Sequence, residues 1–119
     1  MNQVTYQYID LSYLEEMAFG DAELKKTMLD MLFEEVPVEL DKMRALTEVQ
    51  DWDKLSSVSH KMKSTVSFVG NPALTEANRS IEHACKTGEE TEHIPEWMNE
   101  VEHQFELSMP ELRAVHAAL

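Results

Sequence analysis

The sequence predicts an all-α fold, an antiparallel up-down-up-down four-helix bundle with a short additional N-terminal helix. Apolar residues recur with a helical period through most of the chain, and no segment shows the alternation of a half-buried strand. The chain has only three glycines and four prolines, and these residues separate the periodic segments. The connections between the segments are short, which favours antiparallel packing of neighbouring helices.

Gly20 and Asp21 separate the first two predicted helices, because a glycine often ends a helix and an aspartate often caps the next one. The first helix is expected over residues 11–19 and across one end of the bundle. The second is expected over residues 22–48, with a kink at Pro37. Its apolar residues fall on two sides, so we expect other helices to cover both sides. One side contains Leu24, Met28, Met31, Val38 and Leu46, and the other contains Leu29, Phe33 and Leu40.

The third predicted helix covers residues 52–69, and the fourth covers residues 72–87. Asp51 immediately precedes the third helix, as expected of an N-cap residue. The Gly-Asn-Pro tripeptide at residues 70–72 combines a helix-ending glycine, a capping asparagine and a proline in the first helical turn. This tripeptide is the strongest break in the chain, and Gly88 is expected to close the fourth helix.

The last predicted helix begins near Pro95 and extends to the end of the sequence. Its apolar stripe keeps its phase across Pro110, which falls on the opposite face, so we expect one long helix. The stripe consists of Trp97, Val101, Phe105, Leu112, Val115 and Leu119. We therefore interpret residues 1–119 as a single domain whose bundle core spans about residues 22–119.

Composition and charge narrow the possible classes of function. Lys and Arg total 10 and Asp and Glu total 23, so the formal net charge is −13. This charge argues against nucleic acid or an anionic membrane as partner. Cys85, the one cysteine, is expected to be buried and has no partner for an intramolecular disulfide. Because no segment resembles a signal peptide or a membrane span, we expect a cytoplasmic protein. We also expect it to be a monomer.

The segment SHKMKSTVSFVG, residues 59–70, places a histidine on the solvent side of the third helix. At about 100° per residue, His60 lies opposite an apolar stripe that consists of Leu55, Val58, Met62, Val66 and Val69. Lys63, Ser64 and Ser67 flank His60 on that face. A neutral imidazole is a nucleophile near neutral pH, and a lysine one turn away neutralises a phosphoryl group. The pattern favours a group carrier over a hydrolase, because no second catalytic acid or oxyanion site is evident.

The same segment resembles the signature of histidine-containing phosphotransfer (HPt) domains. In that signature an apolar residue follows the histidine by two positions, a lysine by three, a small residue by four and a glycine by ten. Met62, Lys63, Ser64 and Gly70 stand at these positions after His60. Glycine is commonest at the position that Ser64 occupies in this chain. Serine is still small, so this departure bears on the preference for a partner more than on activity. The resemblance covers most of the chain.

The resemblance implies that His60 carries a phosphoryl group between a sensor histidine kinase and a response-regulator receiver aspartate. Such a carrier has no ATP-binding or kinase motif and needs no cofactor of its own. Glu82 stands where related domains carry a glutamine or glutamate that contacts the imidazole. Its carboxylate is expected to accept the Nδ1–H and leave Nε2 free to attack. The partner-binding surface is expected to include Ser64, Ser67, Phe68 and Arg79.

Several alternatives remain open from the sequence alone. A helical adaptor or inhibitor would bind a kinase or receiver domain through the same face without carrying phosphate. A metal-binding bundle would use the Glu-x-x-His motifs at residues 90–93 and 100–103, although solvated polar positions are the simpler interpretation. Glu82 would otherwise be an ordinary surface glutamate, and Arg79 would otherwise pair with a nearby acid.

Overall fold

The computed structural model describes residues 6–119, and within that range the chain forms helices and no strand. The α-helices are α1 (Ser12–Met17), α2 (Ala22–Glu48), α3 (Trp52–Lys61), α4 (Lys63–Val69), α5 (Pro72–Thr87) and α6 (Ile94–Ala118). A 3₁₀ helix (Thr91–His93) precedes α6. None of the helices in residues 6–119 combines the length and the apolar character that crossing a membrane requires. The predicted all-α class is confirmed.

The long helices pack as a bundle that measures 49 × 22 × 20 Å. α5 packs against α3 and α6, and α2 packs against the same two helices. α1 packs mainly on α4, where the rings of Tyr13 and Phe68 lie 5.3 Å apart. α3 and α5 therefore lie side by side, and residues about twenty positions apart in sequence meet across their interface.

Local sequence signals account for the positions of the helix ends. The side chains of Asp21, Asp51 and Asn71 each accept a hydrogen bond from a backbone N–H in the first turn of α2, α3 and α5, respectively. α2 and α5 have the predicted bounds. The predicted third helix is instead interrupted at Met62, whose ψ of −11° departs from the regular α-helical value. α6 continues through Pro110, as predicted.

The core contains most of the residues that the apolar stripes predicted on α3, α4 and α6. The stripe residues of α3 and α4 that are buried are Leu55, Met62, Val66 and Val69, and those of α6 are Val101, Phe105, Leu112 and Val115. Leu119, at the end of the α6 stripe, is 38% exposed. The regular helical period therefore identifies the buried face wherever a helix has only one apolar side.

The prediction that both apolar sides of α2 are covered is wrong. Its buried apolar residues are Leu29, Leu32, Val36 and Met43, whereas Leu24, Met31 and Val38 are exposed. Within the described residues, α3 and α6 are the helices that pack most extensively on α2, and on the first apolar side only Met28 and Leu46 are partly buried against the core. Since the sequence of α2 is apolar on two sides, its own period does not show which side the neighbours cover.

Gly70 ends α4 with a left-handed backbone (φ +69°) and lies directly against the segment that leads into α1. A Cβ atom at this position would overlap the carbonyl oxygen of Asp10. The N–H of Asp10 donates a hydrogen bond to the carbonyl of Val69 over 3.1 Å. The absence of a side chain at Gly70 therefore allows the N-terminal segment to hold α1 beside α4.

Candidate functional site

His60 lies in the last turn of α3, two residues before the interruption at Met62. Its side chain is 64% exposed, so the imidazole is presented to solvent from the side of the bundle. The preceding residue, Ser59, is fully buried and fixes the orientation of this turn. Lys63 begins α4 on the other side of the interruption and is exposed. The helix therefore exposes the imidazole while its neighbour anchors the backbone.

The side chain of Glu82 on α5 lies beneath the imidazole. Its Oε1 atom is 2.9 Å from Nδ1 of His60, although the two residues are 22 positions apart in sequence. An ionised carboxylate only accepts hydrogen bonds, so Nδ1 must donate the proton. In the neutral imidazole, this selects the tautomer in which Nε2 is unprotonated. Nε2 is consequently the nitrogen that is available as a nucleophile.

Two lysines accompany the buried carboxylate of Glu82. Lys86 Nζ lies 2.7 Å from Oε1, and Lys63 Nζ lies 3.7 Å from Oε2. Burial raises the pKa of Glu82, but hydrogen bonds from Lys86 and His60 and the charges of both lysines outweigh it, so the pKa is lowered. The carboxylate is thus ionised at neutral pH and remains an acceptor for the imidazole. The sequence prediction did not include Lys86, although its position four residues after Glu82 is a recognisable helical ion-pair spacing.

A buried polar pair aligns α3 with α5 directly beside this cluster. The Ser59 hydroxyl donates to the side-chain oxygen of Asn78 over 2.8 Å, and the amide of Asn78 donates to the carbonyl of Ser59 over 3.0 Å. Both residues are almost completely buried, at 0% and 2% exposure. Because Ser59 precedes His60 and Asn78 precedes Glu82 by one turn, the pair sets the register between the imidazole and the carboxylate. The sequence prediction missed this pair.

A shallow cleft runs between α4 and α5. The predicted partner-binding residues Ser64, Ser67 and Arg79 line it together with Lys63 and Tyr13. The nearest acid to Arg79 is Glu76, 3.6 Å away across a strongly exposed pair. Such exposed pairs contribute little free energy, so the guanidinium is free to change partners. The structure therefore brings these predicted residues together on one accessible surface, and their role in binding remains a prediction.

Phe68 lies on the other side of α4 from this cleft. It is half-buried against Tyr13 and borders a second, more apolar groove with Met28, Met31 and Thr65. The two grooves together give α4 a polar flank and an apolar flank. The polar flank begins at Lys63, three residues after His60.

The remaining candidate residues do not form a comparable site. Within residues 6–119, His, Cys, Asp and Glu form no group of three or more that could hold a metal ion. His93 lies near two exposed glutamates, with no contact shorter than 3.8 Å. Cys85 is buried on α5; desolvation, together with the negative charges of Asp53 and Glu82, raises the pKa of its thiol to about 11. These groups provide neither a metal site nor a reactive thiolate.

Comparison with protein families places the cluster inside a known type of domain. A family model described as "Hpt domain" matches residues 27–116, which is more than half of the chain. The match begins within α2 and ends within α6, so it includes α3, α4 and α5 with His60, Lys63 and Glu82. Comparison with curated proteins and with solved structures gave no match.

Proposed function

Because the chain belongs to the Hpt domain family, we propose that His60 carries a phosphoryl group between a sensor histidine kinase and the aspartate of a response-regulator receiver domain. At the level of the family, Hpt domains act in histidine phosphotransfer in two-component systems and are carriers, not kinases. The observation that carries the proposal is the 2.9 Å contact between Glu82 and Nδ1 of an exposed imidazole. In the neutral ring, this contact leaves Nε2 unprotonated, on the side of the imidazole away from Glu82.

In the proposed transfer, the lone pair of His60 Nε2 attacks the phosphorus of a receiver phosphoaspartate. The Nε2–P bond forms as the bond between phosphorus and the aspartate oxygen breaks, and the aspartate leaves as a carboxylate. The Nδ1–H proton stays on the ring and is held by Glu82. Lys63 is close enough to the imidazole to place its ammonium group beside the phosphoryl oxygens. Transfer in the opposite direction uses the same atoms.

The receiver domain, in this proposal, docks on the surface that adjoins His60. Ser64 and Ser67 are small and permit close approach, Phe68 adds apolar area, and Arg79 is free to pair with acidic groups of the receiver. The receiver supplies both its aspartate and its magnesium ion, so this chain needs no cofactor of its own. The role is that of a cytoplasmic monomer in which residues 1–119 form a single domain.

The direct test is transfer of radiolabelled phosphate from a panel of phosphorylated receiver domains and autophosphorylated hybrid kinases of the same organism. We expect label that is stable to alkali and labile to acid on the wild-type protein, and none on His60→Gln. His83→Gln is a matched control, since it removes an exposed imidazole one residue from Glu82 and should leave labelling unchanged.

The same panel separates the carrier from the adaptor. An adaptor would bind kinases or receivers equally well with and without His60, and the wild-type protein would remain unlabelled. That combination of results would overturn the proposal. Label on both the wild type and His60→Gln would also contradict it, because the phosphoryl group would then reside on another residue.

A further inference from the structure

Glu82 is contacted by three cationic or proton-donating groups at once. Its Oε1 atom is shared by His60 Nδ1 at 2.9 Å and Lys86 Nζ at 2.7 Å, and Lys63 Nζ lies 3.7 Å from Oε2. The carboxylate side chain is only 7% exposed, whereas both lysine side chains are more than half exposed. The positive charges are therefore at the surface, and the negative charge that they neutralise is underneath the imidazole.

A carboxylate in this position creates an electrostatic problem for the proposed reaction. A phosphoryl group brings about two negative charges to Nε2, on the same ring whose Nδ1 faces Glu82. Without compensation, the buried carboxylate would repel the incoming group through a medium that screens charge poorly. A neutral acceptor would orient the imidazole without this repulsion. A glutamate therefore needs a cation of its own.

The geometry distinguishes the parts that the two lysines play. Lys86 follows Glu82 by four residues on α5 and makes the shorter contact, to the same oxygen that holds the imidazole. Lys63 belongs to α4 and makes only a loose contact, to the other oxygen. A loosely held ammonium group can turn towards the phosphoryl oxygens, and Lys86 then remains to neutralise Glu82.

We propose that Lys86 is a positioning residue that makes Glu82 act as a neutral acceptor during phosphoryl transfer. It holds Oε1 against Nδ1 and cancels the carboxylate charge. The phosphorylated site then balances: the phosphoryl group and Glu82 contribute about three negative charges, and the cationic phosphoimidazole ring, Lys63 and Lys86 contribute three positive ones. This inference rests on the proposed function of His60 as phosphoacceptor.

The charge balance leads to a double-mutant test that needs no partner protein. Potassium phosphoramidate is the phosphodonor: Nε2 attacks phosphorus, the P–N bond breaks and ammonia leaves with the protons that it carries. We expect Lys86→Met to label about fivefold more slowly than wild type, as for loss of roughly one charge-pair interaction near the surface. In the Glu82→Gln background the same substitution should have little effect, because there is no carboxylate to neutralise.

Two further variants separate charge compensation from a general effect of removing a lysine. Lys61→Met removes an exposed cation beside His60 that contacts Glu39 instead of Glu82, and it should label like wild type. Lys86→Arg keeps the charge and should retain most of the rate. Circular dichroism of every variant checks that the helical fold is retained.

The possible results distinguish failure of the inference about Lys86 from failure of the proposed function of His60. Equal rates for Lys86→Met and wild type would overturn the role of Lys86 alone. An equal slowing in the Glu82 and Glu82→Gln backgrounds would also overturn it, since the lysine would then act independently of the carboxylate. A wild-type protein that phosphoramidate does not label, or a His60→Gln protein that it labels equally, would overturn the proposed function as well.

Discussion

Glu82 remains ionised although its side chain is buried, and this has a consequence for stability. Burial raises its pKa, but Lys86, His60 and Lys63 together lower it below the ordinary value of 4.5. A group whose pKa is lowered by folding stabilises the fold above its unfolded-state pKa. The contribution is lost as the pH falls through the folded-state pKa. We therefore expect Glu82→Gln to make the free energy of unfolding less dependent on pH in acid, below about pH 4.5, as measured by urea unfolding across a pH series.

A matched variant shows whether the environment of Glu82 causes this effect. Glu96→Gln removes the same charge from a strongly exposed position in the first turn of α6. If both variants changed the pH dependence equally, the effect would belong to net charge and the explanation from the Glu82 site would be wrong.

Ser59 and Asn78 give the second prediction at the scale of single residues. Ser59→Ala leaves the buried side-chain oxygen of Asn78 without its hydroxyl donor. An unsatisfied buried acceptor costs about 1–3 kcal/mol, and we expect a loss of that size in the free energy of unfolding. Ser57→Ala is the control, because Ser57 is exposed and bonds only within its own helix. Equal stabilities for the two variants would show that the hydrogen bonds between Ser59 and Asn78 add no net free energy to the fold.

Single residues of the site differ in how far the sequence predicts them. His60 and Lys63 belong to a local motif, so their spacing along one helix is sufficient to place them together. The Ser59–Asn78 pair joins two helices through common residue types, and only the register of α3 against α5 brings them into contact. Lys86 is predictable in one respect and not in the other. Its spacing from Glu82 follows from the sequence of one helix, but its position near His60 depends on how the helices pack.

At the scale of the helices, the two glycines that end α4 and α5 make a matched pair. Gly70 and Gly88 have similar left-handed φ angles of +69° and +73°. A Cβ at Gly70 would overlap Asp10, whereas a Cβ at Gly88 would meet no atom within 4 Å. We expect Gly88→Ala to cost about 1 kcal/mol through backbone conformation alone. Gly70→Ala should cost about 1–3 kcal/mol more, because the N-terminal segment must shift.

Chemical denaturation of both glycine variants measures this difference. Equal losses would mean that the contact with Asp10 adds nothing to the stability of the bundle. A larger loss for Gly70→Ala would show that the position of α1 depends on this close approach.

The helix ends were predictable because capping residues, glycine and proline act within a few residues of their own positions. The covered side of α2 was not predictable from the sequence, because α2 has two apolar sides. Which of them is buried depends on where α3 and α6 lie. The interruption at Met62 was likewise hidden, since its apolar side chain continues the buried stripe. Periodicity thus reports which side chains are apolar, and tertiary packing decides which of them are covered.

At the scale of the whole molecule, the sign of the charge near His60 is opposite to the sign of the net charge. The formal net charge is −13, yet Lys63, Arg79 and Lys86 meet around Glu82 beside the imidazole. Clustered cations on an acidic protein attract acidic groups to one face while the rest of the surface repels them. For the proposed role, this arrangement directs the acidic aspartate site of a receiver to His60 and not to other faces. Composition predicted the total charge but not this local reversal.

The burial of Cys85 makes the reaction of its thiol depend on fluctuations of the surrounding structure. Its thiol has a pKa of about 11 and lies within the packed side of α5, one turn after Glu82. A protonated, covered thiol reacts with alkylating reagents only while the surrounding structure is briefly open. Since the sequence contains one cysteine, the rate of alkylation reports how often the structure around α5 opens, and α5 is the helix that carries Glu82. The molecule thus contains its own reporter of how often the structure around His60 opens.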